Sequence, residues 1–207
     1  MNKGKFIVFE GCEGVGKSTQ ISLLKEYFKN TEQKAIFTRE PGGTPLAEEI
    51  RNLIKSDNSI TAIEEAYLFA GARAHHVSNV IIPALNQGIS VVCDRFILSS
   101  LAYQGKARGL GYSVINEINH HAMQGIKPDV TIFFDLSPRQ SFRKAQGKVI
   151  ENDRIENESD AFHALVFDGF KELIKKDNSI ISISPTGNKD NTFNLVLDTL
   201  KRGGYVK

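Results

Sequence analysis

Apolar residues in this chain fall into short β-prone runs separated by longer stretches of helical spacing. The runs Phe6–Glu10, Ala35–Thr38, Ile89–Asp94, Val130–Asp135 and Ile180–Ile183 read as strands. Between and after them the spacing predicts helices over Lys17–Asn30, Thr44–Lys55, Thr61–Asn86, Ser113–Gln124, Pro138–Ala145, Asp160–Lys175 and Asn191–Lys201. The first of these carries Ile21, Leu24 and Phe28 on one face. Such alternation argues for an α/β domain, a parallel sheet with helices on both faces. Ligands of these sheets bind beyond the carboxyl ends of the strands, so those ends are the places to look for chemistry.

One helix breaks its own pattern. Over Thr61–Asn86 the apolar stripe runs Ala66, Phe69, Ala70, then Val77, Val80, Ile81 and Ala84, and the position that completes it is Arg73. A buried lone charge is very costly, so Arg73 must pair with an acidic neighbour or line a cavity. Phe69 lies one turn earlier on the same face, and a ring beside a guanidinium suits a flat heterocycle.

After the first strand comes Gly11-Cys12-Glu13-Gly14-Val15-Gly16-Lys17-Ser18-Thr19, which matches G-x-x-x-x-G-K-[ST] at every fixed position. Glycines let such a loop curl until backbone N–H groups point at a polyphosphate, and the following helix adds the positive end of its dipole. Lys17 is then expected on the β and γ phosphates and Ser18 on Mg²⁺. Two later strands end in Thr38-Arg39-Glu40-Pro41-Gly42-Gly43 and Asp94-Arg95-Phe96. Arginine donates paired hydrogen bonds to phosphate, so Arg39 and Arg95 together imply a second anionic group. Tyr103-Gln104 is read as introducing a polar, glycine-rich turn, and the amide of Gln104 suits the edge of a base.

Length and composition bound these readings. The 207 residues suit one domain with a small mobile segment. Hydrophobic residues at 41% and charged ones at 24% exclude disordered and fibrous classes. A formal net charge of +2 makes no case for a nucleic-acid partner. No apolar stretch approaches the roughly 18 residues of a membrane span. The first apolar run is cut by Glu10, too early for a secretory leader, and the expectation is a cytoplasmic protein. Cys12 and Cys93 lack metal-ligand spacing; Cys93 reads as core, and Cys12 lies near a helix N-terminus, where a thiol pKa can fall. Adjacent His75-His76 and His120-His121 point in different directions on a helix and receive no function. Arg139, Arg143, Lys144, Lys148 and Arg154 bracket Gly147, and Gly147–Asn157 reads as a flap bringing positive charge over phosphates.

Taken in order, GCEGVGKST, TREPGGT, LFAGAR, DRF and AYQG resemble thymidylate kinases, from about Phe6 to about Asp160. The resemblance implies a P-loop kinase fold with a five-stranded parallel sheet and a lid at about 144–157. It also implies a Mg-ATP donor, dTMP as acceptor and a homodimer. Residue by residue, Gly11 to Thr19 would hold ATP, with Ser18 and Asp94 serving the metal. Arg39 and Arg95 would grip the dTMP phosphate, and Phe69 would stack on thymine. Arg73 would bond the O4 edge and Gln104 the N3 edge, with Ser100 beside them. Tyr103 would wall the 2′ carbon, and Glu13 would lie near the sugar. Because Gly14 follows Glu13, the chain looks like the subgroup whose catalytic basic residues come from the lid, here Lys148 and Arg154, acting as cations with Lys17 and Arg95. A guanine-nucleotide switch would need Asn-Lys-x-Asp, and Asn188-Lys189-Asp190-Asn191 has the wrong spacing.

Overall fold

The computed structural model describes residues 3–140 and 153–207. Its strands are β1 Phe6–Glu10, β2 Ala35–Arg39, β3 Ser90–Asp94, β4 Val130–Phe134 and β5 Ile180–Ile183. They form one parallel sheet in the order β2-β3-β1-β4-β5. The central β1 pairs Val8 with Cys93 of β3 and with Thr131 of β4. Its side chains alternate between two cores. Ile7 and Phe9 join Leu24, Phe28 and Val196 on one face, while Phe6 and Val8 join Val77, Ile81 and Phe96 on the other. Covered on both sides, β1 is apolar from Phe6 to Phe9, and each large side chain so buried contributes roughly 1.5–3 kcal/mol.

The helices are α1 Lys17–Asn30, α2 Pro45–Ser56, α3 Ala62–His76, α4 Ile82–Asn86, α5 Ile97–Ser100, α6 Tyr112–Met123, α7 Asp160–Ile174 and α8 Lys189–Arg202. Their starts follow local chemistry. Thr44 caps α2 by accepting from the Ala47 N–H, and Pro45 fills the first turn, where no N–H is needed. Thr61 and Glu64 cap α3 reciprocally.

Two expectations are corrected here. The helix foreseen as one piece over Thr61–Asn86 is α-helical to His76, widens to a π-helix over Val77–Ile81 and closes as α4. Pro83 removes the N–H that Asn79 would need, which explains a widened turn just before it. Tyr103-Gln104 does not open a turn but lies within a π-helix, Leu101–Ala107, that continues α5. Five of its seven residues, Leu101, Ala102, Gln104, Lys106 and Ala107, favour helix, but Gly105 and the nearby Gly109 and Gly111 carry the signal of a turn. The helix expected over Pro138–Ala145 runs, beyond residue 140, outside the described residues.

Candidate active site

Between the end of β1 and the start of α1, residues 11–16 turn the chain at the middle of the sheet's carboxyl edge. Gly11 has φ +140°, and a Cβ there would lie 3.0 Å from the Phe134 carbonyl oxygen, so only glycine fits. Gly16 precedes α1 in the left-handed region and offers no side-chain cap, which leaves the first N–H groups of the helix for an anion. Lys17 Nζ donates to the carbonyls of Gly11 and Cys12, each at 2.8 Å. Burial, followed by the charge of Arg95, depresses the Lys17 pKa to about 8. The acidification that a helix N-terminus can bring does not occur at Cys12. The thiol is buried, and burial together with Glu13 pushes it up to about 12.

Arg95 follows β3 with φ +70°, a strained conformation for a side chain of this kind. Its surroundings fix it there. The Arg95 N–H donates to Phe9 O at 2.9 Å, one terminal nitrogen donates to Glu13 Oε1 at 2.7 Å and the other to Ser99 Oγ at 2.9 Å. Tyr103 donates to the same Glu13 oxygen at 2.5 Å and lies under the Arg95 guanidinium. Burial opposes the Glu13 charge, but Arg95, Lys17 and the Tyr103 hydrogen bond outweigh it and hold the carboxyl below its ordinary pKa. Beneath this cluster, the fully buried Glu10 accepts from the Phe96 N–H at 2.8 Å and the Ser99 N–H at 3.1 Å. Glu10 thus anchors the start of α5 and the turn that carries Arg95, although the sequence pattern marked it only as a strand end.

Arg73 combines both possibilities open to it. Its Nε donates to Glu40 Oε2 at 2.7 Å and one terminal nitrogen donates to Ser100 Oγ at 3.0 Å, while the other donates to Asn119 Oδ1. Three of its five N–H groups are thereby engaged, leaving two for a ligand. His76 Nδ1 lies 3.0 Å from the second Glu40 oxygen and its Nε2 2.8 Å from Thr38 Oγ1, so this histidine braces Glu40. Gln104 Nε2 donates to Glu65 Oε1 at 2.8 Å.

One cavity of about 720 Å³ joins these groups. Of the expected residues, Glu13, Gly14, Lys17, Ser18, Phe69, Arg73, Asp94, Arg95, Ser100, Tyr103 and Gln104 line it. Arg39 does not. Its exposed guanidinium donates to Glu48 Oε2 at 2.8 Å, and Arg51 lines the cavity instead, donating to Pro41 O at 3.1 Å. The pattern held a signal for Arg51. It lies between Ala47 and Ile54, the buried positions of α2, and interrupts an apolar stripe as Arg73 does. Arg154 is likewise outside the cavity lining, bonded to Glu65 and, through Nε at 3.1 Å, to Ile54 O. Lys148, and the expected lid up to residue 152, lie outside the described residues.

Two cavity-lining carboxylates carry a buried oxygen without a hydrogen-bond partner among the described residues: Asp94 Oδ1 and Glu156 Oε2. Burial, with Asp153 and Glu13 nearby, raises the Glu156 pKa. Asp94 and the exposed Ser18 line the cavity together. Among the described residues no three His, Cys, Asp or Glu side chains group as a metal site. A pair of oxygen ligands fits a hard cation that brings most of its shell as phosphate and water.

A family model described as thymidylate kinase matches residues 9–196. The chain is 42% identical over 199 residues to a thymidylate kinase of Finegoldia magna, covering 95% of this chain and 98% of that one. It is 46% identical over 174 residues to one of Symbiobacterium thermophilum, covering 83% and 80%. A third, from Caldicellulosiruptor saccharolyticus, is 44% identical over 197 residues, covering 94% of each chain.

Proposed function

The chain belongs to the thymidylate kinase family and transfers the γ-phosphoryl of ATP to dTMP, giving dTDP and ADP for dTTP synthesis; from that premise we propose how the cavity divides the work. The observation that carries the assignment is the single cavity shared by Lys17 and Ser18 of the phosphate loop and by Phe69, Arg73 and Gln104. A triphosphate seat and a heterocycle pocket thus open into one space.

ATP takes the loop amides of Gly11 to Thr19, and Lys17 exchanges the two loop carbonyls for the β and γ phosphates. Thymine stacks on Phe69, offers O4 to the two spare N–H groups of Arg73 and offers N3–H to Gln104. Glu13 and Tyr103 face the deoxyribose, and the unpartnered oxygen of Glu156 is an acceptor for a sugar hydroxyl. The dTMP phosphate lies between Arg95 and Arg51. Arg39, the residue expected there, supports it at one remove by holding Glu48, whose other oxygen accepts from the Gly43 N–H at 3.0 Å. Lys148 is the further basic residue assigned to the phosphoryl in flight, whereas Arg154, also expected there, is bonded to Glu65 outside the cavity lining. Ser18 and Asp94 would hold Mg²⁺ or its water shell, and the ion would neutralise charge on the phosphates.

Little covalent help is needed, because a dTMP phosphate oxygen is already a nucleophile. The requirement is alignment of that oxygen with the γ-phosphorus and neutralisation of charge on the moving group. Lys17, Arg95 and Arg51 supply positive charge from fixed positions in a buried setting, where it acts more strongly than in water. We assign one catalytic domain, a cytoplasmic site of action and a homodimer. The apolar side chains exposed on α2 and α3, namely Leu46, Leu53, Ile63 and Tyr67, support the homodimer. No helix among the described residues is long and apolar enough to cross a membrane.

The test is ADP release from Mg-ATP with dTMP, dUMP, dCMP, AMP, GMP or no acceptor, repeated with Arg73→Gln. Strong release with dTMP, echoed by dUMP, and a loss of dTMP but not ATP affinity in the variant are expected. Unchanged dTMP affinity in the variant would remove Arg73 from the base pocket.

A further inference from the structure

Glu65 belongs to neither the phosphate seat nor the cavity wall, yet it is the most heavily engaged carboxylate near the site. It projects from α3 and is sealed from solvent. Its Oε1 accepts from Gln104 Nε2 at 2.8 Å and from Arg108 Nε at 3.4 Å. Its Oε2 accepts from a terminal nitrogen of Arg108 at 3.3 Å and from Arg154. Both arginines have donors and no acceptor, so every group around Glu65 gives a hydrogen and the carboxylate only accepts.

That arrangement has a consequence for Gln104. The two ends of a side-chain amide are nearly equal in shape and opposite in hydrogen-bonding sense, so an unconstrained glutamine can present either end to a ligand. Beside an acceptor-only carboxylate it has one choice. Turning the amide oxygen toward Glu65 would set two acceptors face to face and leave the buried Oε1 with only the longer hydrogen bond from Arg108. The Nε2 group therefore stays on Glu65, and Oε1 is the atom left for the cavity that Gln104 lines.

We propose that Glu65 is a specificity-determining positioning residue: by holding the Gln104 amide in one orientation, it makes the pocket accept a pyrimidine that carries a hydrogen at N3 and reject one that does not. The proposal rests on the reading of Gln104 as the N3 contact. Thymine and uracil donate from N3, whereas cytosine has a lone pair there. A carbonyl oxygen fixed toward N3 attracts the first pair and repels cytosine. The two arginines keep Glu65 in place from the far side. Arg108 lies with its guanidinium over the Phe162 ring and also bonds Glu158, while Arg154 is tied by its Nε to Ile54 O.

The experiment is a cycle of Glu65→Gln, Gln104→Ala and the double variant, with kcat and KM measured for dTMP, dCMP and ATP. A glutamine at 65 can give as well as accept, which frees the Gln104 amide to turn. Glu65→Gln should cut the dTMP to dCMP ratio of kcat/KM by about tenfold, through KM more than kcat, while the ATP KM stays within about twofold. In the Gln104→Ala background the same change should move the ratio by less than about twofold, because nothing is left to orient. A wild-type ratio in Glu65→Gln, with a reduced one in Gln104→Ala, would overturn the proposal and leave the Gln104 contact standing. An equal fall from Glu65→Gln in both backgrounds would also overturn it, since the effect would not pass through the amide. An unchanged ratio in Gln104→Ala would instead remove the underlying contact, and the proposal with it. Should Glu65→Gln fail to fold, Glu65→Asp retains the charge for both arginines but withdraws the acceptor from Gln104, and the same outcomes apply.

Discussion

Arg73 and Glu40 meet Nε to Oε2 at 2.7 Å, with 2% and 4% of their side chains exposed. They come from α3 and from the turn after β2, and the pair sets the position of a guanidinium that has two donors left for a ligand. Truncating one partner of such a pair leaves the other charge buried and uncompensated. Glu40→Ala is therefore expected to lower the unfolding free energy by roughly 3–5 kcal/mol and to raise the dTMP KM more than the ATP KM. Urea unfolding and steady-state kinetics check this. Wild-type stability would mean that Ser100 and Asn119 alone satisfy Arg73.

Arg39 and Arg51 lie close in sequence but occupy different environments. Arg51→Ala removes a charged donor from the cavity wall and should raise the dTMP KM by about 10- to 100-fold, the worth of a charge-assisted hydrogen bond. Arg39→Ala breaks a largely exposed pair with Glu48, a contact worth about 0–1 kcal/mol, and should change the dTMP KM by less than about fivefold. The reverse ranking would place the acceptor phosphate outside the Arg51 side of the cavity.

Much of this was readable from residue pattern because the signals are local. The loop from Gly11 to Ser18 declares itself through glycines that only one backbone path requires, and Arg73 declares itself as a charge on an apolar stripe. Arg51 carries the same kind of signal, a charge between Ala47 and Ile54, but the arginine of TREPGG drew the assignment to Arg39. The contacts that went unseen are long-range. Glu10 reaches Ser99 across 89 positions, and Glu65 reaches Gln104 across 39. Periodicity reports which face of an element is buried and says nothing about which partner a buried carboxylate meets. The helical path of Leu101–Ala107 was hidden differently, by Gly105, Gly109 and Gly111, which read as turn residues although most of the segment favours helix. Glu10, bonded to two backbone N–H groups, anchors the α5 turn from which this path continues.

The cysteines give a test of burial against helix polarity. A thiol at a helix N-terminus can be acidified, but burial and Glu13 push Cys12 up to about 12, and Cys93, fully buried, is raised as well. Neither is expected to react with a disulfide reagent at pH 8 on the timescale of minutes, and both should react once urea unfolds the chain. Rapid modification of one thiol in the folded protein would show that the loop opens far more readily than its packing implies.

Lys17 makes stability and catalysis move oppositely with pH. Its pKa falls from 10.5 to about 8 on folding, because burial and then Arg95 disfavour the ammonium. Between those values the unfolded chain holds a proton that the folded chain has lost, so stability rises with pH across that window. Below about 8 both forms are charged and the folded state bears the whole penalty, on the order of 3 kcal/mol from the difference of 10.5 and 8. Phosphate binding needs the ammonium, so kcat/KM for ATP should decline as pH rises through about 8. The decline in kcat should come later, since bound phosphates restore the Lys17 pKa. Lys17→Arg, which stays charged throughout, should be slower but should lose the alkaline limb of kcat/KM. A limb that survives in Lys17→Arg would assign it to another group, and a flat wild-type profile from pH 7 to 9.5 would mean that the free enzyme holds Lys17 charged.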